Sequence, residues 1–298
     1  MPKEIFFCPV LDSTQLEAQR RLHSSYLTSA PGVLYHVATG HQTAGRGRFT
    51  RNWEDLPQTC SLSSTVVKLP QTALKNAHWL TIIAALSVVE TVHGFFPHTQ
   101  SSLKLKWPND VLFQGAKLGG VLATVLPTTD PQYAYISLGV GVNLLQESSH
   151  LPTPTAISLK AAKLTPLPKV KQFNQEFFEI LNQNLEIFVK ANWESDFFQA
   201  PYQSLLSGIG ELVEVTHLSS EAPNSNAETA GSKSPNTYTA TFLGISPNGW
   251  AQLQPAASPD TIIEVSSADI TFSPNSPENF PSTQPLSAPL TPDLQEVK

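Results

Sequence analysis

The sequence predicts an α+β fold, a mixed β-sheet flanked by helices and followed by a small C-terminal β-barrel. Three observations carry this reading. Short β-rich runs cluster before and between two long helical patterns, without the strict alternation of a parallel βαβ sheet. The segments 74–93 and 173–190 are long and apolar at helical spacing. Four further β-rich runs follow the last helix and form a unit of their own.

The elements follow in order. Ile5 to Pro9 is a short apolar strand. Asp12-Ser13-Thr14 offers helix N-cap chemistry, and Leu16 to Leu27 has helical spacing. Val33 to Thr39 and Ser61 to Lys68 read as strands, and Leu74 to His93 as a buried helix. Leu103 to Trp107 and Val111 to Phe113 flank a Pro-Asn-Asp turn, a hairpin signal. Lys117 to Leu126 and Tyr133 to Leu144 complete the strands of the main sheet. Apolar residues at 173, 177, 180, 181, 185 and 188 place a helix over 173–190, with a second helix at Phe197 to Leu206. Glu211 to His217, Thr237 to Gly244, Trp250 to Gln254 and Thr261 to Val265 form the small β unit. Ser219 to Thr237 and Ser273 to Lys298 lack the apolar content that offsets ordering entropy, so both are expected to be disordered. The expected domains are 1–206, 207–272 with an insertion at 219–237, and a Pro-rich tail at 273–298.

Composition excludes several classes. Lys and Arg number 18 against 24 Asp and Glu, a formal net charge of −6. That disfavours a general nucleic-acid binder, which needs a basic face. The two cysteines, Cys8 and Cys60, have no metal spacing and form no disulfide framework. No signal-peptide layout opens the chain. The longest apolar run, Trp79 to Val92, is broken by Thr81, Ser87 and Glu90 and falls short of a membrane span. A cytoplasmic globular protein is expected.

The arginines are unevenly placed. Of five in the chain, Arg46, Arg48 and Arg51 fall within six residues, and none follows Arg51. In Gln42-Thr-Ala-Gly-Arg-Gly-Arg-Phe-Thr-Arg-Asn-Trp53, Gly45 and Gly47 allow close backbone approach to a ligand. The three guanidinium forks suit phosphate or carboxylate, and Trp53 offers a surface on which a base can stack. Read alone, this segment is either an anion-binding loop or a solvated basic loop. Lys104-Leu-Lys-Trp-Pro-Asn-Asp110 is first of all a turn, although a turn needs neither Lys106 nor Trp107. Asp110 there is a candidate carboxylate for Mg²⁺ or for a site near phosphate. Lys117 opens a strand ahead of Gly119 and Gly120, and Asn143 ends the run Gly139-Val-Gly-Val-Asn143.

Together and in this order these segments resemble the biotin protein ligase family. Asp-Ser-Thr, Gln-Thr-x-Gly-Arg-Gly-Arg-x-x-Arg-x-Trp, Lys-Trp-Pro-Asn-Asp, Lys-x-x-Gly-Val-Leu and Gly-x-Gly-x-Asn all occur between residues 5 and 272. The resemblance implies a class II synthetase-like catalytic domain and an SH3-like C-terminal domain, the latter through Gly244-Ile-Ser-Pro-Asn-Gly-Trp250 and Ala268-Asp-Ile-Thr-Phe272. It implies a ligase that activates biotin with ATP and Mg²⁺ to biotinyl-5′-AMP. The biotin then passes to a lysine of the biotin carboxyl carrier domain of acetyl-CoA carboxylase or a related carboxylase. A lipoate or octanoate ligase or transferase is the alternative on the same fold.

The same resemblance assigns roles. Ser13, Thr14, Gln15 and Gln42 would contact the biotin head, with Gly45, Arg46, Gly47 and Arg48 closing over it and Gly120 in the pocket wall. Lys117 would bond the biotin carboxylate and the α-phosphate, and Lys117, Arg48 and Asp110 would carry the chemistry. Arg46, Arg51, Trp53, Lys106, Asn109, Lys117 and Asn143 would hold the nucleotide, with Asp110 as the metal ligand. Gln15 departs from the family's usual Asn, and Thr50 stands where many relatives have a third loop glycine. Bifunctional relatives carry an N-terminal helix-turn-helix domain. With the first strand at Ile5 and a net negative charge, no DNA binding is expected, whereas a homodimer is compatible with the family.

Overall fold

The computed structural model describes residues 4–23, 26, 28–48, 51–217 and 236–272. The run Val33-Leu-Tyr-His-Val-Ala38 has no polar alternation, and every residue of its strand is buried. A strand buried on both faces needs a layer on each side, and that requirement sets the architecture. The main sheet contains β1 (Glu4–Cys8), β2 (Gly32–Thr39), β5 (Cys60–Pro70), β6 (Leu103–Lys106), β7 (Asp110–Phe113), β8 (Ala116–Leu126) and β9 (Tyr133–Asn143). Their order is β1-β2-β5-β9-β8-β7-β6. β1 runs parallel to β2 and the remaining pairs are antiparallel, so the sheet is mixed as expected. Two short strands, β3 (Gly45–Arg46) and β4 (Asn52–Trp53), form a separate hairpin.

Side chains alternate across the sheet. Val67, Leu69, Ile136 and Leu138 join the large core under α2 (His78–Phe95) and α3 (Val170–Lys190). Tyr35, Val37, Val66 and Tyr135 face the other way, toward Ala18 of α1 (Thr14–Arg21). α1 ends at Arg21, six residues before the expected Leu27, because Leu22 turns to φ −73° and ψ 95°. α2 starts at His78, after a 3₁₀ turn over Gln71–Asn76. At 18 residues and mean hydropathy 1.2, α2 is long and apolar enough to cross a membrane, contrary to the estimate from its sequence. Two thirds of it is buried against the sheet and α3, so its apolar character serves the core.

α4 (Asp196–Leu205) leads to the last unit, β10 (Leu212–His217), β11 (Asn236–Ile245), β12 (Ala251–Pro255), β13 (Ile263–Val265) and β14 (Asp269–Phe272). These strands form one antiparallel sheet in the order β13-β12-β11-β10-β14. Its edge strands do not pair with each other, so it is an open sheet where a closed barrel was expected. β14 was not foreseen as a strand. Most of the 219–237 insertion and all of the 273–298 tail lie outside the described residues, although Asn236 and Thr237 open β11.

The small sheet does not stand apart. Val213, Val215, Phe242 and Leu253 belong to the same core as Trp79 and Leu105. The Trp107 indole N–H donates to Gly249 O at 3.0 Å, and that of Trp79 to Pro247 O at 2.8 Å. Gly249 closes the turn that starts at Ser246, with φ +79°, and a Cβ there would meet Ile82 Cδ1 at 3.0 Å. Both the backbone conformation and the close approach therefore call for glycine. Trp107, which a turn by itself does not need, is a buried anchor between the two sheets.

One buried titratable group gives the fold a pH signature. His36 has no solvent exposure, bonds Thr65 Oγ1 through Nδ1 at 2.7 Å, and lies 4.5 Å from the Phe178 ring. Burial pulls its imidazole down to about 3. Between that value and the ordinary value near 6.5, only the unfolded chain takes up the proton, so stability falls with pH across this window. The expected contribution to the slope is up to about 1.4 kcal/mol per pH unit. Urea unfolding followed from pH 7 to pH 4 checks it, and His36→Gln should flatten the acid limb.

Candidate active-site cleft

The residues singled out from sequence come together in one cleft of about 310 Å³ between the main sheet, the β3–β4 hairpin and β14. It begins at the N-terminus of α1. Ser13 occupies the N-cap position but makes no capping bond, and its hydroxyl is buried without a partner. The capping acceptor comes from elsewhere. Gln42 Oε1 takes the Thr14 backbone N–H at 2.7 Å and the Thr14 hydroxyl at 3.1 Å, and Ser64 Oγ donates to Thr14 Oγ1 at 2.9 Å. The N-cap reading of Asp12-Ser-Thr14 is thus only half right. The Gln42 side chain caps, while the Ser13 hydroxyl stays buried and unpartnered in a residue that lines the cleft.

Gln15 crosses behind them. Its Nε2 donates to Leu122 O at 2.6 Å, on β8, while Oε1 stays buried and unpartnered. Ser63 Oγ, also lining the cleft, is a third buried polar atom with no partner. The longer amide fits because position 139 has no side chain, since a Cβ on Gly139 would lie 2.5 Å from Gln15 Nε2.

The Gly/Arg segment is ordered around its glycines. A Cβ on Gly45 would meet Trp53 O at 2.4 Å, so only glycine permits the β3–β4 pairing. Gly45 itself lies beneath the hairpin, while Arg46, Gly47, Arg48, Arg51, Asn52 and Trp53 line the cleft. The Trp53 ring rests on Gly141, where a Cβ would approach it to 2.7 Å. Arg48 Nη1 donates to Asn109 Oδ1 at 3.3 Å and faces Asp269 Oδ1 at 3.4 Å, while Arg51 pairs with Asp269 Oδ2. Burial pulls the Arg48 guanidinium down, and Asp269 and Asp110 oppose that. Thr50 lies outside the described residues.

Opposite stands the β6–β7 hairpin. Asn109 Nδ2 donates to Val121 O at 2.7 Å, fixing the turn to β8. Lys117 Nζ lies 2.6 Å from Asp110 Oδ1, and the open face of Gly120 lets the lysine pass. Lys106 is pulled down mainly by burial, with Asp110 opposing, and its ammonium sits 5.3 Å from the Phe272 ring centre. Asn143 is not brought to the cleft. Its Nδ2 donates to Ile157 O at 3.1 Å and its Oδ1 accepts from the Cys60 thiol at 3.7 Å. Burial pushes the Cys60 thiol up to about 12, which makes it no nucleophile.

Five cations, Arg46, Arg48, Arg51, Lys106 and Lys117, therefore face two carboxylates, Asp110 and Asp269, in a chain of net charge −6. Such a site draws in a polyanion. Both carboxylates are already engaged by cations, and no group of three His, Cys, Asp or Glu gathers among the described residues. The donor set does not amount to a protein-built metal centre. Sequence reading gave no role to Asp269, Ser63 or Gly141, although Gly141 falls within Gly139-Val-Gly-Val-Asn143 and Asp269 within Ala268-Asp-Ile-Thr-Phe272. They reach the cleft through strand register and the docking of the small sheet.

Residues 8–143 match the model of the biotin/lipoate A/B protein ligase family. The chain is 36% identical over 119 residues to the biotin–[acetyl-CoA-carboxylase] ligase of Mycobacterium tuberculosis, a match covering 40% of this chain and 42% of that protein. With the Paracoccus denitrificans protein of the same name it shares 34% over 135 residues, 45% of this chain and 51% of that one. The chain thus spans about half the length of the curated relatives it matches. The solved biotin protein ligase from Aquifex aeolicus in complex with biotin and ATP superposes with TM-score 0.65 at 22% identity, covering 91% of this chain and all of that one. This last likeness is one of fold.

The Gln15–Gly139 fit can be tested by melting. Gly139→Ala should cost about 1–3 kcal/mol through the clash with the amide. Gln15→Asn in the same chain should recover most of that loss, and purely additive effects would count against the fit.

Proposed function

We propose that this chain is a biotin ligase acting in two steps. Biotin and ATP form biotinyl-5′-AMP and pyrophosphate, and a lysine of a carboxylase's biotin carboxyl carrier domain then takes the biotin and releases AMP. The observation that carries the reading is the division of one cleft into two chemistries. At the α1–β5 side, Ser13 Oγ, Gln15 Oε1 and Ser63 Oγ are buried polar atoms without partners. Leaving such atoms unpaired costs about 1–3 kcal/mol each, so a polar ring that pairs with them binds well. A cyclic urea, with two N–H donors and one carbonyl, suits them, and a dithiolane does not. This favours biotin over lipoate. Between the β3–β4 hairpin and the β6–β8 strands the five cations suit a triphosphate.

The roles follow from chemistry. A carboxylate must attack an α-phosphate, and the like charges are held together only where fixed positive groups meet them. Lys117 lies in the cleft beside Asp110, placed to receive the biotin carboxylate and the α-phosphate as Asp110 releases it. Arg48, Arg51, Arg46 and Lys106 neutralise the remaining phosphates, and Trp53 offers its ring to the adenine. In the second step the lysine nitrogen forms the amide bond, the acyl–phosphate C–O bond breaks, and AMP leaves with the electron pair. Magnesium would accompany ATP, held chiefly by phosphate oxygens, with Asp110 as the carboxylate the protein would offer it.

In this reading residues 1–206 form the catalytic domain around the main sheet, and 207–272, around the small sheet, an SH3-like domain. A cytoplasmic location, the carrier domain as partner and homodimer formation belong to the same proposal, as does the absence of DNA binding.

Incubation with biotin, MgATP and an apo carrier domain, probed with streptavidin, tests the function. Transfer of lipoate and not biotin would sink it. Lys117→Ala should lower adenylate formation by about 10²–10³-fold, as loss of a preorganised charge-stabilising donor does. Pyrophosphate release at the parent rate would remove Lys117 from the chemistry.

A further inference from the structure

β14 carries one carboxylate across to the Gly/Arg hairpin. Asp269 Oδ1 lies 3.4 Å from Arg48 Nη1, and Oδ2 pairs with Arg51. Arg48 Nη2 donates to Ala268 O at 3.3 Å and reaches Ser267 Oγ at 3.5 Å, while Nη1 holds Asn109 Oδ1. One guanidinium thus ties together the hairpin, the β6–β7 turn and the start of β14. The side chains of Arg48 and Asp269 are only 18% and 23% exposed, so water screens this pair less than a surface pair. Asp110, the other carboxylate of the cleft, is taken by Lys117 and offers the arginines no substitute. The hairpin's strands are two residues each, and Arg46 and Arg51 are exposed.

We propose that Asp269 is a positioning residue that latches the Gly/Arg hairpin to the C-terminal sheet and so retains the activated acyl-adenylate in the cleft until the acceptor lysine arrives. A mixed anhydride is destroyed by water, and a cover over the cleft preserves it. Two arginines and Lys106 at one mouth repel one another, and the carboxylate on β14 turns that repulsion into attachment. The small sheet then acts in the reaction by supplying a counter-charge.

The inference rests on the adenylate-forming reading, and one experiment separates the two. The full chain is loaded with biotin and MgATP labelled at the α-phosphate, freed of excess nucleotide, and followed for release of labelled biotinyl-AMP. Asp269→Asn should release it about tenfold faster, the scale on which removing a paired charge acts on dissociation. Asp269→Glu should restore most of the retention. Arg48→Gly should leak as well, and the double variant should leak no faster than the worse single one, because both remove the same contact. A parent enzyme that forms no adenylate would overturn both readings. Adenylate formed but released at the parent rate by Asp269→Asn would overturn the latch alone, as would rates that multiply in the double variant. Should Asp269→Asn fail to fold, Asp269→Ser serves with the same outcomes.

Discussion

Like charges packed into one cleft are the constraint on which this molecule turns. Arg46, Arg48, Arg51, Lys106 and Lys117 share a single cleft, and two carboxylates, Asp110 and Asp269, divide them. Asp110 is local, lying on β7 in register with Lys106 and Gly120. Asp269 comes from the far end of the described chain. Its arrival depends on the small sheet being docked, and the docking depends on two indole N–H groups that meet the 247–249 turn. A hydrophobic core shared by both sheets keeps that geometry fixed.

The other end of the cleft follows a different logic. There, buried hydroxyl and amide oxygens are left unpaired in a fold that elsewhere satisfies such groups, and a folded chain accepts that cost where a ligand makes it good. Gln42 caps α1 in place of Ser13, which frees the Ser13 hydroxyl. Gln15 spends its amino group on β8 and keeps its carbonyl. In both cases the backbone is served by one atom and the cleft by another.

The sequence was most legible where physics is local. Strands with continuous apolar runs and the long helices were placed to within a few residues, because burial on both faces or on one stripe leaves a pattern. The Gly/Arg hairpin stood out as a candidate anion-binding loop because three arginines sit beside two glycines within a few residues. An Asn at a strand end looks alike whether it meets a ligand or an inner carbonyl, so the bonds of Asn143 to Ile157 and Cys60 were not legible in the sequence. Trp107 stood out as more than a turn needs, but its partner, the 247–249 turn, is visible only once the small sheet is docked. The helix at 14–21 was overrun at its C-terminal end, where Leu22 leaves the helical region without a glycine to announce it.

What the sequence determined by itself was the α+β class, the clustering of three arginines beside two glycines, and the lysines and Asp110 of the facing segments. These are properties of adjacent residues, which composition and period express directly. Only the tertiary structure decided that the C-terminal sheet is open, that Asn143 turns inward, that Gly139 makes room for Gln15, and that Asp269 sits between Arg48 and Arg51. Each of those joins residues far apart in the chain. Their meeting is fixed by strand register and sheet docking, which are set by the sum of many burial contacts and which no short run of residues encodes.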